Sequence, residues 1–75
     1  MIMEKEYTAL IKEFLKEKSL KPFRIRVLKE NDGFIMIIVK VANIQLNKAV
    51  DLSFEATRKL YKETGQDIAV SIIPT

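Results

Sequence analysis

The chain contains neither cysteine nor histidine among its 75 residues. Without cysteine it forms no disulfide bond and offers no thiolate to a metal ion. Without histidine it lacks the commonest metal-binding side chain and the usual general base of hydrolytic enzymes. These absences predict no metal site, no cofactor and no catalytic residues, so we do not expect an enzyme.

Glycine and long apolar runs are also scarce. The only glycines are Gly33 and Gly65, which do not form a glycine-rich phosphate-binding loop. The longest apolar run, residues 33–39, is far shorter than the roughly 20 residues that a membrane helix needs. Residues 1–6 are too acidic for a secretory signal peptide. We therefore expect a cytoplasmic protein.

The length of the chain predicts a single domain, residues 1–75. A domain this small buries only about 60% of the surface of its unfolded chain. Such domains are usually reinforced by disulfides, a metal or oligomerisation. Since the sequence excludes the first two, oligomerisation is the expected reinforcement. The net charge of +3 is too mild to indicate nucleic-acid binding by itself.

Two patterns predict the first half of the fold. Apolar residues recur at helical spacing over roughly residues 3–18, which predicts an amphipathic helix that Pro22 prevents from continuing. The predicted buried stripe is Met3, Tyr7, Leu10, Ile11, Phe14 and Leu15. Apolar and basic residues then alternate from Phe23 to Leu28, which predicts a strand with Phe23, Ile25 and Val27 facing the core.

A hairpin and a central strand are predicted next. Asp32-Gly33 lies between two β-rich runs, which is a strong hairpin signal. The run from Phe34 to Val41 is apolar on both faces, as is typical of a strand covered on both sides.

The rest of the chain predicts a second helix and a last strand. Asn43 or Asn47 is the expected N-cap of the helix, and Gly65 is its expected stop signal. Its predicted buried stripe is Leu46, Ala49, Val50, Phe54, Thr57, Leu60 and Tyr61. The strand covers residues 67–73 and ends at Pro74.

The elements together predict an α+β fold, a two-layer α-β-β-α-β sandwich with two helices on one face of a three-stranded sheet. The first two strands are expected to be antiparallel, and the second and third are expected to be parallel because a helix joins them. Alternation places Ile35, Ile37, Val39 and Val41 under the helices. Phe34, Met36, Ile38 and Lys40 then fall on the other face.

Residues 22–74 resemble the cytosolic C-terminal domain of cation diffusion facilitator transporters. The order of elements is similar, and the matching stretches are Phe34–Val41, residues 43–49, and residues 67–73 closed by Pro74. That family carries a histidine after the alanine of its helix and another before the closing proline. This chain has Val50 and Ser71-Ile72-Ile73 at those places. The order is also similar to ring-forming modules of secretion and sporulation machinery. Both resemblances imply a self-associating module that is not an enzyme, and neither implies metal binding here.

The sequence leaves three functions open. The favoured one is a homodimeric interaction module that associates through the sheet face without helices. The expected interface residues are Leu28, Phe34, Met36, Ile38 and Ile73, with Arg24, Arg26, Lys40 and Ser71 near the rim. The alternative is a module that binds RNA or single-stranded nucleic acid through Arg24, Arg26 and Lys40, joined by Phe34 if the hairpin register allows it. A weaker alternative is a small enzyme or ligand-binding protein.

Overall fold

A computed structural model describes residues 4–30 and 32–75 of the chain, and side chains from residue 6 onward within those ranges. The elements are helix α1 (Glu4–Glu17), strands β1 (Pro22–Lys29) and β2 (Ile35–Val41), helix α2 (Leu46–Thr64) and strand β3 (Ile68–Pro74). The predicted α+β fold and the order of its elements are confirmed. Met3, expected in the first helix, lies outside the described residues.

The three strands form one sheet in the order β1-β2-β3. β1 pairs with β2 in antiparallel orientation, and β2 pairs with β3 in parallel orientation. The apolar run of β2 is therefore the central strand, as its two apolar faces predicted. The hairpin closes through a hydrogen bond from the Glu30 amide to the Phe34 carbonyl at 2.8 Å. Asp32 Oδ1 accepts a second bond from the Phe34 amide at 3.0 Å.

Both helices lie on the same face of the sheet, and the core lies between the two layers. Strand β2 contributes the predicted residues Ile35, Ile37, Val39 and Val41, and β3 contributes Ile68, Val70 and Ile72. Helix α1 contributes Tyr7, Ile11, Phe14 and Leu15. Among the described side chains the buried set contains no polar or charged residue. Apolar burial is therefore the main source of stability of this fold.

The buried stripe of α2 differs from the predicted one. Its core residues are Ala49, Leu52, Ala56 and Leu60. The larger side chains Leu46, Val50, Phe54 and Tyr61, which were expected in the core, are exposed. The prediction was wrong because α2 carries apolar residues around more than half of its circumference. The structure buries the side with two alanines, whose small side chains allow the helix to approach the sheet closely.

The predicted N-cap of α2 is also wrong. Gln45 precedes the helix and makes no side-chain capping bond. Asn43 instead has a left-handed backbone with φ of 59°, and Asn47 Oδ1 accepts a bond from the amide of Lys48 within the first turn. The predicted stop is confirmed, since Gly65 has φ of 69° and its amide donates to the Tyr61 carbonyl at 2.7 Å.

The turn that follows helix α1 contains a serine in a conformation that favours glycine. Ser19 has φ of 58°, and the Leu20 amide beyond it donates to the Leu15 carbonyl at 2.8 Å. We expect Ser19→Gly to raise the free energy of unfolding by about 0.5–1 kcal/mol, because glycine adopts this region without steric cost. Urea unfolding followed by circular dichroism would measure it. An unchanged or lower stability would contradict this account of the helix end.

Candidate functional site

The sheet face opposite the helices carries a continuous set of side chains, which we call the open face. Strand pairing arranges it in rows. Arg24, Lys40 and Ile73 form the first row, Arg26, Ile38 and Ser71 the second, and Leu28, Met36 and Ala69 the third. The register thus brings the expected interface residues together, with Phe34 following Met36 on the same face. Most of the apolar ones are half-buried, and Ile73 is 38% exposed.

Charge is distributed unevenly along the open face. Arg24, Arg26 and Lys40 lie at one end, where β2 finishes. At the other end, Glu30 bonds through its amide to the Phe34 carbonyl, and the Asp67 carbonyl accepts from the Ile35 amide. Alternation along the strands places the side chains of Glu30 and Asp67 on the open face, beside Phe34. This alternation gives the open face a basic end, an apolar middle and an end with two carboxylates, where Arg58 of α2 lines the same groove as Phe34 and Asp67.

The nucleic-acid alternative for this face requires an aromatic residue next to the arginines, and the register separates them. Phe34 lies beyond the third row, whereas Arg24 lies in the first. By alternation its neighbours include Glu30 and Asp67, whose carboxylates would repel a phosphate backbone, although Arg58 lines the same groove. Arg24 and Lys40 do lie opposite each other on the paired strands β1 and β2. The register therefore brings the cations together without the aromatic partner that the sequence suggested.

Helix α2 protects the outer edge of β3. Ser53 Oγ accepts a bond from the Ile72 amide at 2.8 Å, and Thr57 Oγ1 accepts one from the Val70 amide at 2.9 Å. Thr57 Oγ1 also lies 3.3 Å from the Val70 carbonyl, to which it donates. An exposed edge strand invites pairing with another chain through its free backbone groups. These hydroxyl groups leave β3 unsuited to the addition of a further strand.

We expect Thr57→Val to lower the free energy of unfolding by about 1–3 kcal/mol, because it leaves the partly buried Val70 amide without its acceptor at nearly unchanged side-chain volume. Thr57→Ser keeps the hydroxyl and is the matched control. Thermal unfolding would compare the two variants with the wild type. Equal losses in both would show that the methyl group, and not the hydrogen bond, matters at this position.

A second apolar surface lies on α2, which we call the α2 stripe. Its members are Leu46, Val50, Phe54 and Tyr61, and Phe54 is 65% exposed. A groove of about 600 Å³ joins it to the open face around the edge of β3, where Tyr61, Phe34 and Ala69 are among the lining residues. The spacing of these residues showed an apolar side of the helix, and only the packing shows that it faces outward.

Phe23 is another residue that was predicted to be buried and is exposed. The pairing register shifts between Pro22 and Arg24, so Phe23 occupies a bulge and is 77% exposed. Proline has no amide proton to donate to the ladder, and in sheets it is found at edges and bulges. The alternation that predicted a buried Phe23 begins only after this point. Ile25 and Val27 do pack against the core.

The described residues contain no group of three acidic side chains that could hold a metal ion. Within the same part of the chain, neither helix has the length and apolar character needed to cross a membrane. Comparisons with models of protein families, with curated proteins and with solved structures found no match to this chain. The resemblance to the transporter domain therefore stays an expectation from the sequence.

Proposed function

We propose that this protein is a non-enzymatic interaction module that associates with a second copy of itself through the open face. The observation that carries the proposal is the order of charges along that face, with a basic end, an apolar middle and an acidic end. A surface that forms a twofold dimer must be complementary to itself. This order meets that condition when the two copies run in opposite directions.

This arrangement has a twofold axis that lies in the interface, perpendicular to the strands, midway between the second and third rows. Each strand then lies antiparallel to the same strand of the partner subunit, so that Ile38 meets Met36 of the partner subunit. Arg24 then lies opposite Glu30 of the partner subunit, and the reverse pair forms on the other side of the axis. Apolar side chains at the centre and charged pairs at the rim are typical of protein interfaces.

The size of the open face limits the expected affinity of the dimer. Three strands about 4.8 Å apart and seven residues long give a face roughly 15 Å by 23 Å, or about 350 Å² on each copy, which is below the size of a stable interface and typical of a weak, transient one. We therefore expect a reversible dimer that forms at micromolar concentrations.

The test is the molar mass in solution, by light scattering over a range of concentrations at low and at high salt. We expect a dimer that persists at high salt, because the centre of the interface is apolar. A chain that stays monomeric at high micromolar concentration would exclude the proposal. A cytoplasmic location, which the absence of cysteine fits, and a role as a non-enzymatic assembly module are part of the same proposal.

A further inference from the structure

The side of the molecule formed by α1 and the start of β1 has two adjoining concavities, which together we call the basic cleft. One, of about 530 Å³, is lined by Lys12, Lys16 and Lys21, together with Ser19, Leu20 and Pro22. The other, of about 280 Å³, is lined by Lys12, Phe23 and Arg24, together with Thr8, Pro22 and Ile25. Lys12 and Pro22 belong to both. The described lining thus combines four cations with one aromatic ring and contains no carboxylate.

The cations of the basic cleft differ from those elsewhere on the helices. Lys18 pairs with Glu55 at 2.7 Å, and Lys59 pairs with Glu17 at 3.5 Å. The described residues form no other ion pairs, and these two connect α1 and the turn after it to α2. Lys12 and Lys16 lie one turn apart on α1, line the cleft and form no ion pair with a described side chain. No side chain that the structure describes forms an ion pair with the positive charge of the cleft.

The aromatic ring of the cleft is held outward by the backbone. The bulge between Pro22 and Arg24 turns Phe23 away from the core and leaves it 77% exposed beside the cations. A ring in this position offers a flat apolar surface at the height of the charged groups. Bases of single-stranded nucleic acid stack on such rings while nearby lysines and arginines contact the phosphates.

We propose that the basic cleft binds single-stranded nucleic acid, with a base stacked on Phe23 and phosphates held by Lys12, Lys21 and Arg24. The exposed ring favours a single strand over a bilayer, because a base can stack on Phe23 while the exposed lysines beside it contact the phosphates. A duplex keeps its bases stacked on each other, so it offers none to Phe23. The cleft shares Arg24 with the edge of the open face, but its lysines and Phe23 lie outside that face, so the inference does not rest on the proposed self-association.

The test is fluorescence anisotropy with a labelled 12-nucleotide oligouridine and oligothymidine, using the Ile38→Asp variant as the background in every case so that self-association does not interfere. We expect Phe23→Ala to weaken binding by roughly 5- to 150-fold, since stacking of a base on an aromatic side chain has an effect of that size. Phe23→Trp is expected to bind at least as tightly as the parent. Phe54→Ala removes a comparably exposed ring from α2, outside the cleft, and should leave binding unchanged.

The salt dependence tests the cations separately. Each phosphate contact with a single strand adds about 0.7 to the slope of log affinity against log salt concentration. Lys12→Gln combined with Lys21→Gln should therefore lower that slope by about 1.4, whereas Lys62→Gln on α2 should not change it. Three results would overturn the proposal: no binding to either oligonucleotide at low salt, Phe23→Ala binding as tightly as its parent, or binding to phosphatidylserine vesicles but not to oligonucleotides.

Discussion

Phe14→Ala is expected to lower the free energy of unfolding by about 3–5 kcal/mol, since it removes a large buried ring and leaves a cavity. Phe14 is 2% exposed and lies on α1 within the core cluster. Domains of this size have a stability of roughly 0.05–0.15 kcal/mol per residue. The variant should therefore lose a large part of its stability, and part of the population should be unfolded in the absence of denaturant.

The matched control for this prediction is Phe54→Ala, which makes the same chemical change on the other helix. Phe54 is 65% exposed, so its removal should alter stability by no more than about 0.5 kcal/mol. Urea unfolding of both variants at low micromolar concentration would give the difference. Similar losses in the two variants would mean that α2 buries its outer side and that the assignment of the core is wrong.

The period of two in the strands made most of the sheet predictable. Each side chain on a strand points to the face opposite its neighbour, so a single register decides every position. Val39 was predicted under the helices and Ile38 on the open face, and the pairing confirms both. The order of charges on the open face was not recognised, because Glu30 and Asp67 were read as parts of a turn and of a strand end.

The helices were less predictable because apolar spacing alone does not say how closely an element approaches its neighbour. On α2 the large residues Val50 and Phe54 suggested the core, whereas the structure packs Ala49 and Ala56 against the sheet. The two hydroxyl groups that bond to the edge of β3 fix this rotation of the helix. Such bonds join residues 13 and 19 positions apart, and no local pattern reveals them.

Phe23 was wrongly predicted to be buried because local alternation does not reveal a shift in strand register. One additional residue in a strand reverses the direction of every side chain on one side of it. Only Pro22 indicated the register shift in advance, and its role as a helix stop had already explained its presence. The candidate basic cleft depends on this bulge, so it could be recognised only from the structure.

Ile38→Asp is expected to abolish self-association while leaving the fold intact. Ile38 lies at the middle of the open face, between Arg26 and Ser71, so an aspartate there remains in contact with water in the monomer. In the dimer it would replace an apolar contact worth about 1.5 kcal/mol or more in each subunit. The loss of about 3 kcal/mol from the two copies corresponds to a more than 100-fold weaker dimer.

One control variant distinguishes the open face from the α2 stripe in light-scattering measurements. Val50→Asp introduces the same charge on the α2 stripe and should leave the molar mass unchanged. If Val50→Asp produces monomers and Ile38→Asp does not, the interface lies on α2 and the open-face proposal is wrong. Circular dichroism of each variant would show whether its helices remain formed.

The direction of the two subunits can be tested by exchanging charges. In the proposed dimer Arg24 faces Glu30 of the partner subunit, so Arg24→Glu and Glu30→Arg should each weaken the dimer by placing like charges opposite each other. The double variant restores opposite charges across the interface and should recover most of the wild-type affinity, because coupling between contacting charges is not additive. A double variant as weak as the sum of its single changes would show that these residues do not meet. Recovery would place the basic end of one subunit against the acidic end of the other, which a parallel arrangement of the two sheets cannot produce.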